Sequence, residues 1–282
     1  MFQLGSWKFC VVDCLGGFNI QVSNVREYPA FHTEHGRLPL AATPESKRVA
    51  LITGANKGIG FETARQLGPM GITVLIGSRE QQRGQTAVDT LCGESIDARL
   101  LVLDVADQHS IDRAVADVER QFGKLDILVN NAGILLERIP PSECQVENLR
   151  KTLETNVVGL FAVTKAFLPL LRKSPSARIV NVSSALGSLS TMGDPQKLQN
   201  DFLAYSSSKA AVNMMTVVLA RELAGTRIKV NAAAPGYTAT EMNNFSGTQT
   251  VAEGAIASVK LATLPDDGPT GSFLDKNGLV AW

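Results

Sequence analysis

The most definite chemistry in this chain belongs to Tyr205 and Lys209. They stand four positions apart within residues 204–223, a stretch that reads as a helix, so their side chains share one face. A free tyrosine titrates near pH 10 and is a poor acid–base group at neutral pH. A neighbouring ammonium group favours the phenolate. A drop of about three pKa units corresponds to roughly 4 kcal/mol of differential stabilisation. Tuned in this way, Tyr205 would give a proton to a carbonyl oxygen or take one from an alcohol. Taken alone, the spacing equally describes a packed tyrosine and a surface lysine.

A second pattern is built for phosphate. Thr53-Gly54-Ala55-Asn56-Lys57-Gly58-Ile59-Gly60 follows an apolar run at 48–53 and opens a helix extending to about residue 67. Gly54 permits a tight turn, Gly58 lets the backbone approach a pyrophosphate, and Gly60 lets the helix pack closely on the strand. Asn56, Lys57 and Ile59 fill the turn, and the free N–H groups of the helix start face the ligand. The competing account is a merely structural turn. NAD binding calls for an acidic residue about 20 positions further on, to hold the ribose 2′-hydroxyl. Here the next strand ends Ile76-Gly77-Ser78-Arg79. A guanidinium there can hold a 2′-phosphate in two parallel bonds, with Lys57 nearby. Two solvated surface cations are the alternative, and Glu80 beside Arg79 counts against the phosphate reading.

These residues need elements to carry them. From Arg48 onward, short apolar runs at 48–53, 73–77, 98–104, 127–130, 177–183, 228–234 and 271–274 alternate with helical stretches at 80–91, 108–122, 146–172, 204–223 and 250–263. Pro169 is expected to interrupt the long helix late. Such alternation implies parallel strands joined by right-handed crossovers, covered on both faces. The fold class is therefore α/β, a Rossmann-type doubly wound parallel sheet in a single domain. Its ligands bind beyond the carboxyl ends of the strands.

Composition limits the alternatives. The chain has 282 residues, of which 44% are hydrophobic, with 27 basic and 27 acidic side chains. Zero net charge gives no bulk attraction for nucleic acid or an anionic membrane. No uninterrupted apolar run approaches the ~18 residues of a membrane span. Four cysteines do not make a disulfide framework. Residues 1–46 hold two of these cysteines, two of the three histidines and six aromatics, with no clear period. They read as a flexible or loosely docked extension, or as coding sequence absent from the native protein. The catalytic domain is expected at 47–282. The run 9–14 makes a poor secretion signal, so a cytoplasmic location is expected. Cys10, Cys14, His32 and His35 could be counted as zinc ligands, but their spacing departs from known patterns and no metal is expected.

The TGxxxGxG turn, the segment Asn130-Asn131-Ala132-Gly133 and the string Tyr205-Ser206-Ser207-Ser208-Lys209 together resemble the short-chain dehydrogenase/reductase family over essentially all of 47–282. The resemblance implies an NADP(H)-dependent oxidoreductase, since Lys57 plus Arg79 matches the NADP-preferring members. It implies that Asp104, with Val105 beside it, contacts the adenine. It also implies that Asn131, Ala132 and Gly133 border the cofactor. The second serine of Asn181-Val182-Ser183-Ser184 would hold the substrate oxygen. Lys209 would tune Tyr205 and bind the nicotinamide ribose. Asn156, in Thr155-Asn156-Val157, would hold a proton-relay water. Pro235 and Gly236 would pack against the nicotinamide, with Thr238 and Thr240 in the same segment. Singly, each has a structural explanation; all four catalytic positions occur in order, each in its expected element.

The interval from Ser184 to Tyr205 exceeds the family's usual spacing, so residues 187–203 hold an insertion. In this the chain is similar to the carbonyl reductases. Leu135, Leu136, Leu186, Phe202 and Met242 are expected to line an apolar pocket for a medium-sized apolar ketone or aldehyde. Oligomeric state stays open. The alternatives are an NAD-dependent alcohol or hydroxysteroid-type dehydrogenase, and a non-catalytic dinucleotide-binding regulator.

Overall fold

Short runs of Val, Ile, Leu and Ala assemble into one sheet because both of its faces are covered by helices. A computed structural model describes residues 2–4, 7–9, 47–194, 196 and 202–282. The chain divides into two compact units, Met1–Glu45 and Ser46–Trp282. In the first, β1 (Phe2–Leu4) pairs antiparallel with β2 (Trp7–Phe9). The cysteines and histidines weighed as zinc ligands lie outside the described residues. No metal-binding cluster occurs among the described residues.

The second unit carries β3 (Val49–Ile52), β4 (Thr73–Ser78), β5 (Ala98–Val102), β6 (Ile127–Asn130), β7 (Ala177–Val182), β8 (Ile228–Ala233) and β9 (Phe273–Leu274). Their order in the sheet is β5-β4-β3-β6-β7-β8-β9, and every neighbouring pair is parallel. Several strands are shorter than their apolar runs, since Asp104 and Ser183 already belong to the loops. The helices are α1 (Gly58–Leu67), α2 (Gln81–Gly93), α3 (Gln108–Phe122), α4 (Val146–Leu153), α5 (Leu160–Arg172), α6 (Leu189–Met192), α7 (Leu203–Glu222) and α8 (Val251–Ala262).

Alternation along β3 divides the core. Ala50 and Ile52 join Leu67 of α1, Leu91 of α2 and Leu261 of α8 on one face. Val49 and Leu51 join Ile111 of α3, Phe167 of α5 and Leu219 of α7 on the other. Successive side chains point to opposite faces, so the strand serves two cores. The chain runs outward from β3 in both directions, and the ends of β3 and β6 bound the crevice at this switch point.

The long helix is interrupted earlier than expected. Residues 146–172 run on through Pro169, and the irregularity is a π-helical turn, Glu154–Gly159. Pro169 and Lys165 are both exposed, so water can serve the carbonyl the proline leaves unbonded. Residue 159, at the end of this turn, is a glycine because a Cβ there would lie 2.7 Å from the carbonyl oxygen of Val105. By length and composition Val146–Arg172 could cross a membrane. Its residues Val163, Phe167 and Leu170 are fully buried against the sheet, which makes it a core helix of this fold.

Candidate active site

The glycine turn, the ends of β4 and β5 and the start of the loop after β6 surround a cavity of about 540 Å³. Gly54 and Gly58 adopt φ of +63° and +59°, a backbone region costly for residues with a Cβ. A Cβ on Gly54 would stand 3.0 Å from the Cα of Ala132, and one on Gly60 would stand 2.4 Å from Asn131 Nδ2. Asn131 Nδ2 donates to the carbonyl oxygens of Thr53 (2.8 Å) and Gly54 (3.2 Å). Thr53 Oγ1 accepts from the N–H groups of Asn131 (3.0 Å) and Ala132 (2.9 Å). The two loops are thereby locked together, and their small residues leave the cradle open.

Most of the expected cofactor residues border this cavity. Gly54, Asn56, Lys57, Gly58, Ile59, Arg79, Asp104, Val105, Asn131, Ala132, Gly133 and Thr240 all line it. Asp104 also accepts from the N–H of Ala106 (3.0 Å), as an ordinary strand-end aspartate would. Gly60, Tyr205, Lys209, Pro235, Gly236 and Thr238 are not in the lining. Thr238 is buried against α8, where its Oγ1 accepts from Gln249 Nε2 at 3.0 Å. Gly254 of α8 has no Cβ to clash with it.

The structure adds charges that the sequence pattern did not single out. Arg83, one helical turn beyond Arg79, lines the same end of the cavity. Glu80 lies 3.0 Å from Arg83 and 3.9 Å from Arg79, so its carboxylate is paired with these cations. Lys57 is ion-paired with Glu241, which holds that carboxyl below its usual range.

Asn156 and Lys209 lie next to Gly133. A Cβ there would stand 3.3 Å from Asn156 Oδ1 and 3.7 Å from Lys209 Nζ. On α7, Lys209 Nζ lies 5.5 Å from the Tyr205 ring centre and donates to the Val182 carbonyl at 2.7 Å. Ser184, which caps the turn Ala185–Gly187, shares a hydrogen bond with the Tyr205 phenol. Ser183 instead points into the core, bonding Asn213 Oδ1 at 2.6 Å.

Electrostatics here run opposite to the expected depression of the tyrosine. Burial pushes the phenol up to about 12, opposed only by the Ser184 hydrogen bond. Burial pushes the Lys209 amine down to about 8. In both cases desolvation penalises the charged form. At neutral pH Tyr205 therefore holds its proton and can donate it.

Asn156 is fully engaged. Its Oδ1 accepts from the N–H of Ile134 (2.8 Å), and its Nδ2 donates to the Ile134 carbonyl (3.0 Å) and to Ser208 Oγ (3.0 Å). Ser208 Oγ donates in turn to the Tyr205 carbonyl at 2.6 Å. The side chain of Asn156 thus fixes the loop after β6 to the turn of α7 that carries Tyr205 and Lys209. Ser208 was legible only as a neighbour of Lys209. Of the expected apolar pocket, Met242 lines the cavity, whereas Leu135, Leu136, Leu186 and Phe202 do not.

Residues 48–250 match the short chain dehydrogenase family. The chain belongs to that family. It is 38% identical to (+)-neomenthol dehydrogenase of Arabidopsis thaliana, over 82% of this chain and 97% of that protein. It is 34% identical to carbonyl reductase [NADPH] 1 of Mus musculus, over 84% of this chain and 99% of that one. Among solved structures, the NADPH-bound carbonyl reductase from chicken fatty liver superposes with a TM-score of 0.73 at 28% identity, covering 84% and 99% of the two chains. The chain is thus an oxidoreductase of a family whose members act on alcohols and carbonyls.

Proposed function

We propose that this short chain dehydrogenase is an NADPH-dependent reductase of ketones or aldehydes, with residues 47–282 as its catalytic domain. The observation that carries the reading is Lys209 Nζ 5.5 Å from the Tyr205 ring centre and close to Gly133 at the cavity wall, with Ser184 acting on the Tyr205 phenol. The relatives with this chemistry in their names, a neomenthol dehydrogenase and a carbonyl reductase, support the substrate class.

NADPH, when bound, supplies the hydride that reduces the carbonyl carbon. Its pyrophosphate would lie on the glycine turn, where Gly54 and Gly58 leave space and the start of α1 offers free N–H groups. Its 2′-phosphate would meet Lys57, Arg79 and Arg83, which favours NADP(H) over NAD(H). Ser184 orients the substrate oxygen by a hydrogen bond. Tyr205, protonated at neutral pH, donates its proton to that oxygen. Lys209 stands beside the ring and offsets the developing phenolate. Asn156 holds this turn of α7 in register with the loop after β6. The substrate is a small, largely apolar carbonyl compound.

The reading is tested by ketone- and aldehyde-dependent oxidation of NADPH and of NADH. Turnover is expected with NADPH in preference to NADH, and Tyr205→Phe is expected to lower it by about 100-fold or more while NADPH still binds. Unchanged activity in Tyr205→Phe refutes the mechanism, and equal use of NADH refutes the phosphate assignment.

A further inference from the structure

The four cations that line the cavity each have a carboxylate partner: Lys57 has Glu241, Arg65 has Glu94, and Arg79 and Arg83 share Glu80. Arg138, an exposed residue outside this lining but bonded to one of its members, does not. Among the described residues no Asp or Glu pairs with it. Its Nη2 donates to the Met242 carbonyl at 2.9 Å, and its guanidinium lies 5.6 Å from the Phe202 ring centre. The adjacent Glu137 is occupied by Asn148 Nδ2 and the N–H of Gln145, which hold its carboxyl below the usual range. Met242 lines the cavity, and Phe202 immediately precedes the helix that carries Tyr205. The guanidinium thus rests on a ring face and one carbonyl, and most of its five N–H donors have no partner among the described residues. A planar fork held in this way matches a carboxylate in two parallel bonds.

We propose that Arg138 is a specificity-determining residue that binds a carboxylate on the substrate, at the end remote from the reacting carbonyl. The inference rests on the carbonyl-reductase reading. The substrate class becomes an apolar oxo acid, with its carbonyl at Tyr205, its body along Met242 and its carboxylate on Arg138. If Arg138 served only to clasp the loop after β6 to Met242, it would serve every substrate alike.

The probes are a medium-chain oxo acid, with ketone and carboxylate at opposite ends, and its neutral methyl ester. Turnover of each is measured with wild type, Arg138→Met and Arg138→Lys. The Kd of each for the protein–NADP+ complex, which has no hydride to transfer to a ketone, is measured by calorimetry. Wild type is expected to favour the acid. Arg138→Met should raise KM and Kd for the acid by about tenfold or more, with those for the ester within about twofold and NADPH affinity unchanged. Arg138→Lys, which keeps the charge but loses the fork, should fall between. Equal losses on acid and ester, or no wild-type preference for the acid, overturn the proposal. If neither compound is turned over but the acid's Kd still shifts in Arg138→Met, the reductase reading fails and the carboxylate site stands. If that Kd does not shift, the site fails as well.

Discussion

Burial moves the two titrating groups of the site toward their neutral forms: it holds the proton on Tyr205 and loosens it on Lys209. The second effect carries a stability cost. An unfolded lysine keeps its proton up to about 10.5, whereas Lys209 in the folded chain keeps it only to about 8. Below pH 8 both states are protonated, and the buried ammonium opposes folding by roughly 3 kcal/mol. As pH rises from 8 to 10.5 the folded chain releases the proton first and the penalty disappears. Lys209→Met removes the ammonium but strands the Val182 carbonyl, which costs about 1–2 kcal/mol. The expected outcome is an inactive protein whose Tm at pH 7 is a few degrees above wild type, an advantage that shrinks by pH 10. Thermal melts across this range check it, and a lower Tm for the variant at pH 7 would contradict it.

Among the elements, the glycine turn and the loop after β6 form one unit through Asn131 and Thr53. Gly60→Ala would drive a methyl group into Asn131 Nδ2 and against the Gly54 carbonyl. The hydrogen bonds that set the cradle would then be lost. The expectation is a loss of about 1–3 kcal/mol of stability and at least a tenfold rise in the Kd for NADPH, about 1.4 kcal/mol. Gly93→Ala at the end of α2 is the control, because a Cβ there meets nothing within 4 Å. It should leave cofactor binding unchanged and stability equal or slightly higher. Fluorescence titration with NADPH and denaturant melts of the two variants separate these outcomes. The glycine turn was legible because Gly54 and Gly58 take positive φ, a local requirement met at fixed spacing between a strand and a helix. The partners of Gly60 and Gly159 were not, because Asn131 and Val105 come from other segments.

At the scale of the whole molecule, the seven-stranded sheet buries a charge that no pattern announced. Arg178, in β7, is 1% exposed and donates to the Leu264 carbonyl (2.6 and 2.8 Å), to the Ala177 carbonyl (2.9 Å) and to Asp266 (2.9 Å). It ties the strand to the segment that follows α8. Arg178→Met strands these carbonyls and is expected to cost about 2–3 kcal/mol. The loss should be nearly independent of salt, because Asp266 is exposed and its share of the interaction is small. Denaturant melts at low and high ionic strength test both statements, and a loss that vanishes in salt would mean that the ion pair dominates.

The sequence by itself determined the α/β alternation, the glycine turn and the order of Asn156, Ser184, Tyr205 and Lys209. Each of these is a local pattern, a strand period, a turn requirement or one helix face, and local patterns survive in a linear reading. The tertiary structure alone decided which distant groups meet. Ser208 reaches Asn156 across 52 positions, Arg138 reaches Met242 across 104, and Lys57 reaches Glu241 across 184. It also turned Thr238 toward α8 and set the direction of the Tyr205 shift. Burial and long-range pairing depend on how the crossovers stack the elements, and no short stretch of residues carries that information.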